Sequence, residues 1–397
     1  LSLLPTIYLP SLIFYIGMGM LIPVLPLYAR EFTAQYQLIG FALAANSIGL
    51  VIFDIPTGIL LGRIGRKNSM LAGMLVSGLA IGLTFLSTNI WHVILLQFFS
   101  GFGIALFSVA RHTYLADEVS VEARGVAIST IGGVFRGGNA VGPLLGGSVV
   151  AAYFGLASTF LAASVMMGIG VLLVYFFVPL DDLSTLDVAQ KGHHGDIGSL
   201  LRDHGTVLLF AGSGAFFGQM VRVARRLVLP LFASEILGLD VQQIGFIVSV
   251  SSFVDMPLFP LAGYLMDQLG RKFAIVPSFA LQGVGVLLIP FTTGFWTLIG
   301  VGILIGLANG ISAGTMMTLG ADLSPPDRRG EFLGIWRLIG DGGVMSAPLI
   351  VGRIADALTL GSATIVLSFS GFISAMIFLW FVPETLNKEL VLEKQQA

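Results

Sequence analysis

The stretch GILLGRIGRK, residues 58–67, recurs as GYLMDQLGRK at residues 263–272. The two copies lie 205 positions apart, and each joins two long apolar runs through glycines and paired cations. The same separation relates four further pairs: Trp91 and Trp296, Asp117 and Asp322, Arg124 and Arg329, and Pro143 and Pro348. One constant separation across so many features indicates that the chain is an internal duplication.

The composition places this duplication in a lipid bilayer. Of the 397 residues, 55% are hydrophobic and 11% are charged, whereas a soluble domain carries about 25% charged residues. The net charge of −2 gives no indication of a nucleic-acid partner. The chain has no cysteine, its five histidines form no ligand pair at helical spacing, and no nucleophile–base set is visible. We therefore predict no metal, no cofactor and no enzymatic activity.

Twelve apolar runs are long enough to cross a membrane, which takes about 20 residues. We number them spans 1 to 12: 3–29, 38–61, 69–88, 90–113, 125–152, 157–178, 206–232, 242–266, 273–291, 295–318, 331–352 and 362–382. Residues 180–204 are rich in charge and predict a solvated linker. The predicted organisation is an N-terminal six-helix bundle (1–179), this linker (180–204), and a C-terminal six-helix bundle with a short tail (205–397).

The distribution of cations in the loops predicts the orientation, because Lys and Arg favour the cytoplasmic side. One side has only Arg30 and Arg353. The other side collects Arg63, Arg66, Lys67, Arg124, Lys191, Arg202, Arg271, Lys272, Arg328, Arg329, Lys388 and Lys394. We therefore expect a multi-pass protein of the cell membrane whose termini and linker are cytoplasmic.

The repeated stretch resembles the loop signature of the major facilitator superfamily, and this resemblance covers essentially the whole chain. It implies an all-α membrane protein with two pseudo-symmetric six-helix bundles around a central cavity, working as a monomer by alternating access. The implied gating residues are Gly58, Arg63, Gly65, Arg66, Lys67, Asp117, Gly263, Asp267, Gly270, Arg271, Lys272 and Asp322. Because the family's Asp falls on Gly62, the first copy is incomplete and the second is the stronger candidate.

A second pattern lies in span 5 and resembles the antiporter motif of the same superfamily. Its residues are Gly138, Gly142, Pro143, Gly146 and Gly147. Small residues let membrane helices approach closely, and a proline bends a helix. In relatives this motif marks exporters that exchange substrate for protons. Span 4 departs from the family, because Gln97 stands where an Arg tied to proton transfer is expected, and Arg111 is the candidate substitute.

Charged residues inside the spans are the candidate functional residues, since each costs about 2.5–3.5 kcal/mol or more at the bilayer centre. Arg136 and Asp341 lie 12 residues beyond Arg124 and Arg329, or about 18 Å deep at 1.5 Å per residue. This equal depth predicts that they interact, directly or through substrate or water. The substrate-binding candidates are Arg136, Arg111, Arg222, Trp336 and Arg337, and the proton-coupling candidates are Asp341, Asp255 and Asp54. Arg225 and Arg226 are expected to extend outward from span 7.

Two functions remain open from the sequence. The first is a secondary transporter that exports small amphipathic organic compounds in exchange for protons. The second is an organic-anion carrier or lipid flippase of the same fold. A membrane sensor without transport activity is a third possibility, against which the charges near the midplane argue. The spans hold more Arg than Asp, which favours an anionic, zwitterionic or neutral substrate.

Overall fold

A computed structural model describes residues 3–120, 124–180 and 197–386, and the regular structure of these residues is helical. Spans 1 to 6 consist of Leu9–Phe32 (preceded by the π-helical Leu4–Tyr8), Tyr36–Ile64, Arg66–Thr84, Ile90–Glu118, Arg124–Pro143 (continued by Leu144–Ala151 and Ala152–Phe154) and Leu156–Phe177. Spans 7 to 12 consist of Ile197–Glu235, Val241–Asp255 with Leu258–Gln268, Arg271–Leu288 (continued by Ile289–Phe291), Phe295–Ile311 with Thr315–Leu323, Arg329–Ala357 and Leu360–Trp380.

Each of the twelve predicted spans is therefore helical in the described part of the chain. Ten of them are long and apolar enough to cross a membrane by length and composition. Spans 3 and 5 fall below that measure, since both carry cations and many small or polar residues. The helix of span 7 begins at Ile197, so residues 197–204 are helical where the sequence predicts linker. Residues 181–196, with Lys191, and residues 387–397, with Lys388 and Lys394, lie outside the described residues.

Two spans of the second half are broken near the middle of the bundle. Span 8 stops at Asp255 and resumes at Leu258, because Pro257 lacks the amide hydrogen that a continuous helix needs. Span 10 stops at Ile311 and resumes at Thr315 through Gly314, which has a φ of +79°. A positive φ is readily adopted by glycine. Each break leaves backbone groups outside the regular helical ladder and available to side chains.

The two halves meet at one face of the bundle, which we call the closed face. It is the face at which span 2 begins and span 7 ends. A Cβ placed on Gly40 would lie 2.2 Å from the carbonyl oxygen of Pro348, and one on Gly352 would lie 2.4 Å from that of Tyr36. Spans 2 and 11 are thus in backbone contact. Span 5 touches span 8 in the same way, since a Cβ on Gly147 would lie 2.8 Å from the Cα of Gly245.

Polar contacts between the halves cover the same face. Arg30 forms an ion pair of 3.0 Å with Glu235, and the Tyr36 hydroxyl donates to Glu235 at 2.5 Å. The backbone amides of Tyr36 and Gln37 donate to the carboxylate of Asp356 at 2.7 and 2.9 Å. This carboxylate thereby caps the start of span 2 from the opposite half. We call these five residues the closed-face lock.

At the other face, which bears the two glycine–cation motifs and which we call the motif face, the same helix pairs diverge. A Cβ on Gly58 of span 2, or on Gly330 or Gly334 of span 11, would meet nothing within 4 Å. The same holds for Gly133 of span 5 and Gly263 of span 8. The halves therefore touch at the closed face and are separated at the motif face, so the space between them opens toward the motif face.

Candidate functional site

A cavity of about 640 Å³ lies between the two halves. Spans 1, 2, 4, 5, 7, 8, 10 and 11 line it, together with Gln282 of span 9. Its walls combine apolar side chains, such as Phe14 and Met18, with charged ones. This volume falls within the roughly 300–1,000 Å³ of pockets that bind drug-sized ligands.

The first charged group of the cavity, which we call the arginine cluster, surrounds Asp255 at the end of the first helix of span 8. One carboxylate oxygen of Asp255 accepts a hydrogen bond from Arg136 of span 5. The other accepts from Arg225 of span 7 at 3.2 Å and from the Asn309 amide of span 10 at 2.6 Å. The Asp255 side chain is 5% exposed. This buried acid is thus compensated by two cations and one amide.

Arg222 and Arg226 of span 7 complete the arginine cluster. Arg222 donates to the Ser312 hydroxyl at 2.8 Å and to the Ser312 carbonyl at 3.3 Å. That carbonyl belongs to the break in span 10, where it lies outside the regular helix. Gln219 accepts a third hydrogen bond from Arg222 at 3.2 Å. Arg226 lines the cavity and is exposed there.

The second charged group, which we call the acid pair, consists of Asp54 of span 2 and Asp341 of span 11 with Arg337 between them. Two different nitrogens of the Arg337 guanidinium lie 3.6 Å from the two carboxylates, Nη2 from Asp54 and Nε from Asp341. Both distances exceed a normal hydrogen bond. Among the described residues, the Asp54 Oδ1 atom is buried without a hydrogen-bond partner. Two acids therefore share one cation and carry a net negative charge.

One predicted contact and one predicted orientation need correction. Arg136 pairs directly with Asp255 and not with Asp341, because span 8 brings its own acid to the side of span 5 while Arg337 lies next to Asp341 from one turn away. An interaction of Arg136 with Asp341 through substrate or water stays a prediction. Arg225 and Arg226 do not extend outward but line the cavity, since span 7 presents this face to the other half.

Arg111 and Trp336 are not part of the cavity wall, contrary to expectation. Arg111 is 2% exposed and donates at 2.8 Å to the hydroxyl of Tyr15, which does line the cavity. Trp336 is also buried, and its indole donates to the carbonyl of Met316 at 3.0 Å. Both side chains hold neighbouring helices in place. Of the predicted residues, Arg136, Arg222, Arg337, Asp255 and Asp341 do line the cavity, whereas Asp54 is not part of its wall and lies behind Arg337.

Sequence reasoning missed Asn309 and Ser312, the polar partners in span 10. The signal that marks them is the Ala-Asn-Gly-Ile-Ser-Ala-Gly run of residues 308–314, in which Gly314 interrupts the apolar span. An unwound backbone in a membrane helix is tolerated where it lines a cavity. The Met-Pro pair at residues 256–257 gives the same indication for span 8.

The motif face carries ion pairs within each half, formed by residues that the resemblance marks as gating residues. Arg66 bonds Asp117 at 3.0 Å, and Arg271 bonds Asp322 and Asp267, both at 2.9 Å. The second copy holds the additional acid, because the first has Gly62 in its place. Lys67 and Lys272 donate to the carbonyls of Tyr175 and Leu379 at 2.8 and 2.9 Å. Arg63 is exposed.

Glu384, which sequence reasoning did not single out, caps the helix of span 9. Its carboxylate accepts from the backbone amides of Arg271 at 2.9 Å and Lys272 at 3.0 Å. Burial raises the pKa of Glu384. Hydrogen bonds from these amides and from those of Thr385 and Leu386 stabilise the carboxylate and lower the pKa by more, so the pKa lies below its usual value.

The span 5 motif forms the contacts with spans 1 and 8. A Cβ on Gly142 would lie 2.6 Å from the Cα of Gly19, and one on Gly138 or Gly146 would meet Tyr15 or Met20 at 2.5 and 2.3 Å. Gly147 faces span 8, as described above. Beyond Pro143, Leu144–Ala151 is π-helical. Gly138, Gly142 and Gly146 thus pack span 5 against span 1 of the same half, and Gly147 packs it against span 8 of the other half.

Two duplicated six-span halves around a charged central cavity define the class of secondary transporters. The sequence profile of the Major Facilitator Superfamily matches residues 7–225 and 216–396, so the chain belongs to this superfamily. It is a multi-pass membrane transporter and not an enzyme.

The relatives and a solved structure agree with this assignment. The chain is 26% identical over 264 residues to Multidrug resistance protein 2 of Bacillus subtilis, and the match covers 65% of each of the two chains. It is 23% identical over 355 residues to Multidrug resistance protein MdtG of Proteus mirabilis, with 85% of each covered. Tetracycline resistance protein, class E, of Escherichia coli is 26% identical over 292 residues, or 70% of each. The crystal structure of nucleoside transporter NupG superposes with a TM-score of 0.73 at 14% identity, covering 94% of this chain and 98% of that one, and shows the shared fold.

Proposed function

We propose that this protein exports small amphipathic organic compounds across the cell membrane in exchange for protons, by alternating access. The observation that carries the proposal is the cavity of about 640 Å³ between two halves that touch at the closed face and diverge at the motif face. Rocking of residues 1–179 against 205–397, joined by the 180–204 linker, would expose this cavity to each side in turn. A monomer suffices for this cycle.

The sidedness follows from charge. The motif face holds Arg63, Arg66, Lys67, Arg271 and Lys272, and we assign it to the cytoplasm by the positive-inside rule. Both termini lie on the same side in this assignment. The described conformation is then the inward-open state, ready to take substrate from the cytoplasm. The names of the multidrug and tetracycline resistance relatives support export as the direction.

The acid pair is our candidate for proton coupling. The charge of Asp255 is already compensated by two arginines. Asp54 and Asp341 share the single cation of Arg337, and one proton would neutralise this group. The two acids lie on spans 2 and 11, which part at the motif face and touch at the closed face. Rocking therefore changes the surroundings of this group at each step.

Transport by inside-out vesicles tests the proposal. An acidic lumen should drive accumulation of an exported compound, for which tetracycline and 2-naphthoate serve as first probes. A protonophore should abolish the accumulation, and vesicles that lack the protein are the control. Accumulation only in right-side-out vesicles with an acidic exterior would establish an uptake carrier instead.

The arginine cluster favours a second candidate, an organic-anion carrier of the same fold. Four arginines face one buried acid on spans 5, 7 and 8. A cavity with this surplus of positive charge attracts anions and repels cations. The vesicle experiment separates the two candidates: an anion carrier would exchange naphthoate across the membrane without any response to the proton gradient.

A further inference from the structure

The charge balance of the arginine cluster is unequal. Asp255 is its single acid, and the two nearest arginines, Arg136 and Arg225, already occupy both of its oxygens. Arg222 bonds only neutral groups among the described residues, namely Gln219 and Ser312. Arg226 makes no hydrogen bond or ion pair within the part of the chain that the structure describes. The cluster therefore lacks counter-anions at the point where it faces the cavity.

A second anion would find suitable partners there. Arginine presents planar, paired donors that match a carboxylate. Arg136, Arg222, Arg225 and Arg226 all line the one cavity and belong to only two helices. The apolar part of a ligand would meet Phe14, Met18, Phe135 and Val344 of the same wall. The site thus offers a charged anchor and an apolar surface together, as an amphipathic carboxylate requires.

We propose that the arginine cluster is the binding subsite for the carboxylate group of an organic-acid substrate, and that Asp255 is the internal counter-anion of this subsite. Arg222 and Arg226 attract the incoming carboxylate, which then replaces Asp255 as partner of Arg136 and Arg225. Asp255 keeps its bond from Asn309 during the exchange. This inference rests on the proposed function, because it names the substrate class of the proposed transporter.

The competition between substrate and Asp255 gives the proposal a distinctive consequence. Removal of an arginine should weaken binding, whereas removal of the Asp255 charge should strengthen it, since an internal competitor is lost. We therefore expect changes of about tenfold or more in the dissociation constant, in opposite directions for the two kinds of variant.

Isothermal titration of the detergent-purified protein with 2-naphthoate, and with the neutral 2-naphthamide, tests the proposal. Asp255→Asn should tighten naphthoate binding about tenfold, and Arg226→Gln should weaken it by about the same factor. Naphthamide should bind weakly to all variants. Asp240→Asn, which removes one acid at the start of span 8 away from the cavity, is the matched control and should leave both constants unchanged.

The proposal is overturned if Asp255→Asn leaves naphthoate binding unchanged or weaker, or if naphthamide binds as tightly as naphthoate. Should Asp255→Asn fail to fold, the Arg226→Gln variant decides alone. The Arg226 side chain is exposed to the cavity, and its loss leaves no acid unpaired. Unchanged naphthoate binding by Arg226→Gln then overturns the proposal. The assay needs no gradient and no vesicle. A protein that binds naphthoate as expected but accumulates nothing contradicts the proposed function alone, and accumulation of tetracycline without any naphthoate response contradicts this inference alone.

Discussion

The acidic residues between the two halves differ in how far their charge is compensated by neighbouring groups. Asp255 has cations on both oxygens and an amide besides. Asp341 and Asp54 have one arginine between them, at distances longer than a normal hydrogen bond. A buried acid without full compensation is costly, so it has a reason to bind a proton or a cation. This difference is the reason why we propose anion binding for the first group and proton coupling for the second.

Neutralising the acid pair should uncouple transport. In Asp54→Asn and Asp341→Asn, substrate exchange across vesicles should persist, because the cavity and the arginine cluster are intact. Accumulation driven by a proton gradient should fall at least about tenfold, since the site for the proton is lost. Radiolabelled exchange and accumulation, measured in the same vesicles, check this. Full accumulation in both variants would mean that the proton is carried elsewhere.

The Glu384 cap predicts a dependence of stability on pH. Because its pKa is lowered from 4.5 in the folded protein, the carboxylate stabilises the fold above about pH 4.5, and this contribution disappears as the pH falls through the folded pKa. Glu384→Gln should therefore lower the melting temperature at pH 7, and the difference from the unchanged protein should shrink as the pH falls below 4.5. Melting curves of both proteins in detergent from pH 7 to 3.5 give the comparison. An equal difference at every pH would exclude the charge as the cause.

At the scale of the helices, glycines and breaks place the functional side chains. Close contact of span 5 with span 1 through Gly142 and Gly19 fixes the position from which Arg136 reaches Asp255. The break after Asp255 and the break before Thr315 lie on adjoining spans, and they let side chains and backbone of spans 8 and 10 contact the arginines. Continuous helices would present neither the Ser312 carbonyl nor this arrangement of Asn309.

Two substitutions in span 5 should have opposite effects on stability. Gly142→Ala places a Cβ 2.6 Å from the Cα of Gly19, an overlap that costs about 1–3 kcal/mol when backbone must shift. Gly133→Ala, in the same helix, meets nothing within 4 Å and should be neutral or stabilise by up to about 1 kcal/mol. Melting temperatures in detergent compare the two. Equal melting temperatures for both variants would show that span 5 is not tightly packed against span 1.

For the whole molecule, the closed-face lock opposes the separation at the motif face. Arg30, Tyr36 and Gln37 of the first half bond Glu235 and Asp356 of the second. These contacts exist only while the halves touch at this face, so they stabilise the conformation open at the motif face. In the alternating access that we propose, opening of the closed face would break these contacts, and their strength would therefore set part of the equilibrium between the two conformations.

Weakening the lock should shift this equilibrium. Glu235→Gln removes the ion pair with Arg30, which is worth up to about 1 kcal/mol at a partly exposed site, and should raise the population open at the closed face about two- to fivefold. The chain has no cysteine, so Ser47→Cys in the cavity reports this opening through its rate of labelling by an impermeant maleimide from that side. Asp240→Asn, on the same face but without a contact between the halves, should not change the rate. A rate for Glu235→Gln equal to that of the control would contradict the role of the lock.

Topology gives a further prediction at this scale. Single cysteines at Ser184, in the linker outside the described residues, and at Thr293, an exposed residue between spans 9 and 10, should label from opposite sides of the membrane. In intact cells, an impermeant maleimide should react with the Thr293 variant alone. Reaction of both variants from outside would contradict the predicted topology, and reaction of the Ser184 variant alone would reverse the positive-inside assignment.

The sequence alone determined the membrane environment, the duplication and the position of each span, whereas resemblance to the superfamily signature marked the residues of the motif face, which pair as Arg66–Asp117 and Arg271–Asp322. The first three features depend on runs of one residue type and on one constant separation. They are readable because a membrane span needs a long apolar run whatever its neighbours are.

Only the tertiary structure decided which charges meet in the cavity. Arg136 and Asp341 have equal depth, but depth along a helix does not fix the direction in which a side chain points. The rotation of each span, the close approach at Gly142 and the break at Pro257 bring Asp255 to Arg136, and the face of span 7 turns Arg225 and Arg226 inward. The rotation and the approach of the spans depend on contacts between helices that are distant in sequence. In such contacts the packing of whole helix surfaces outweighs the preference of any single residue.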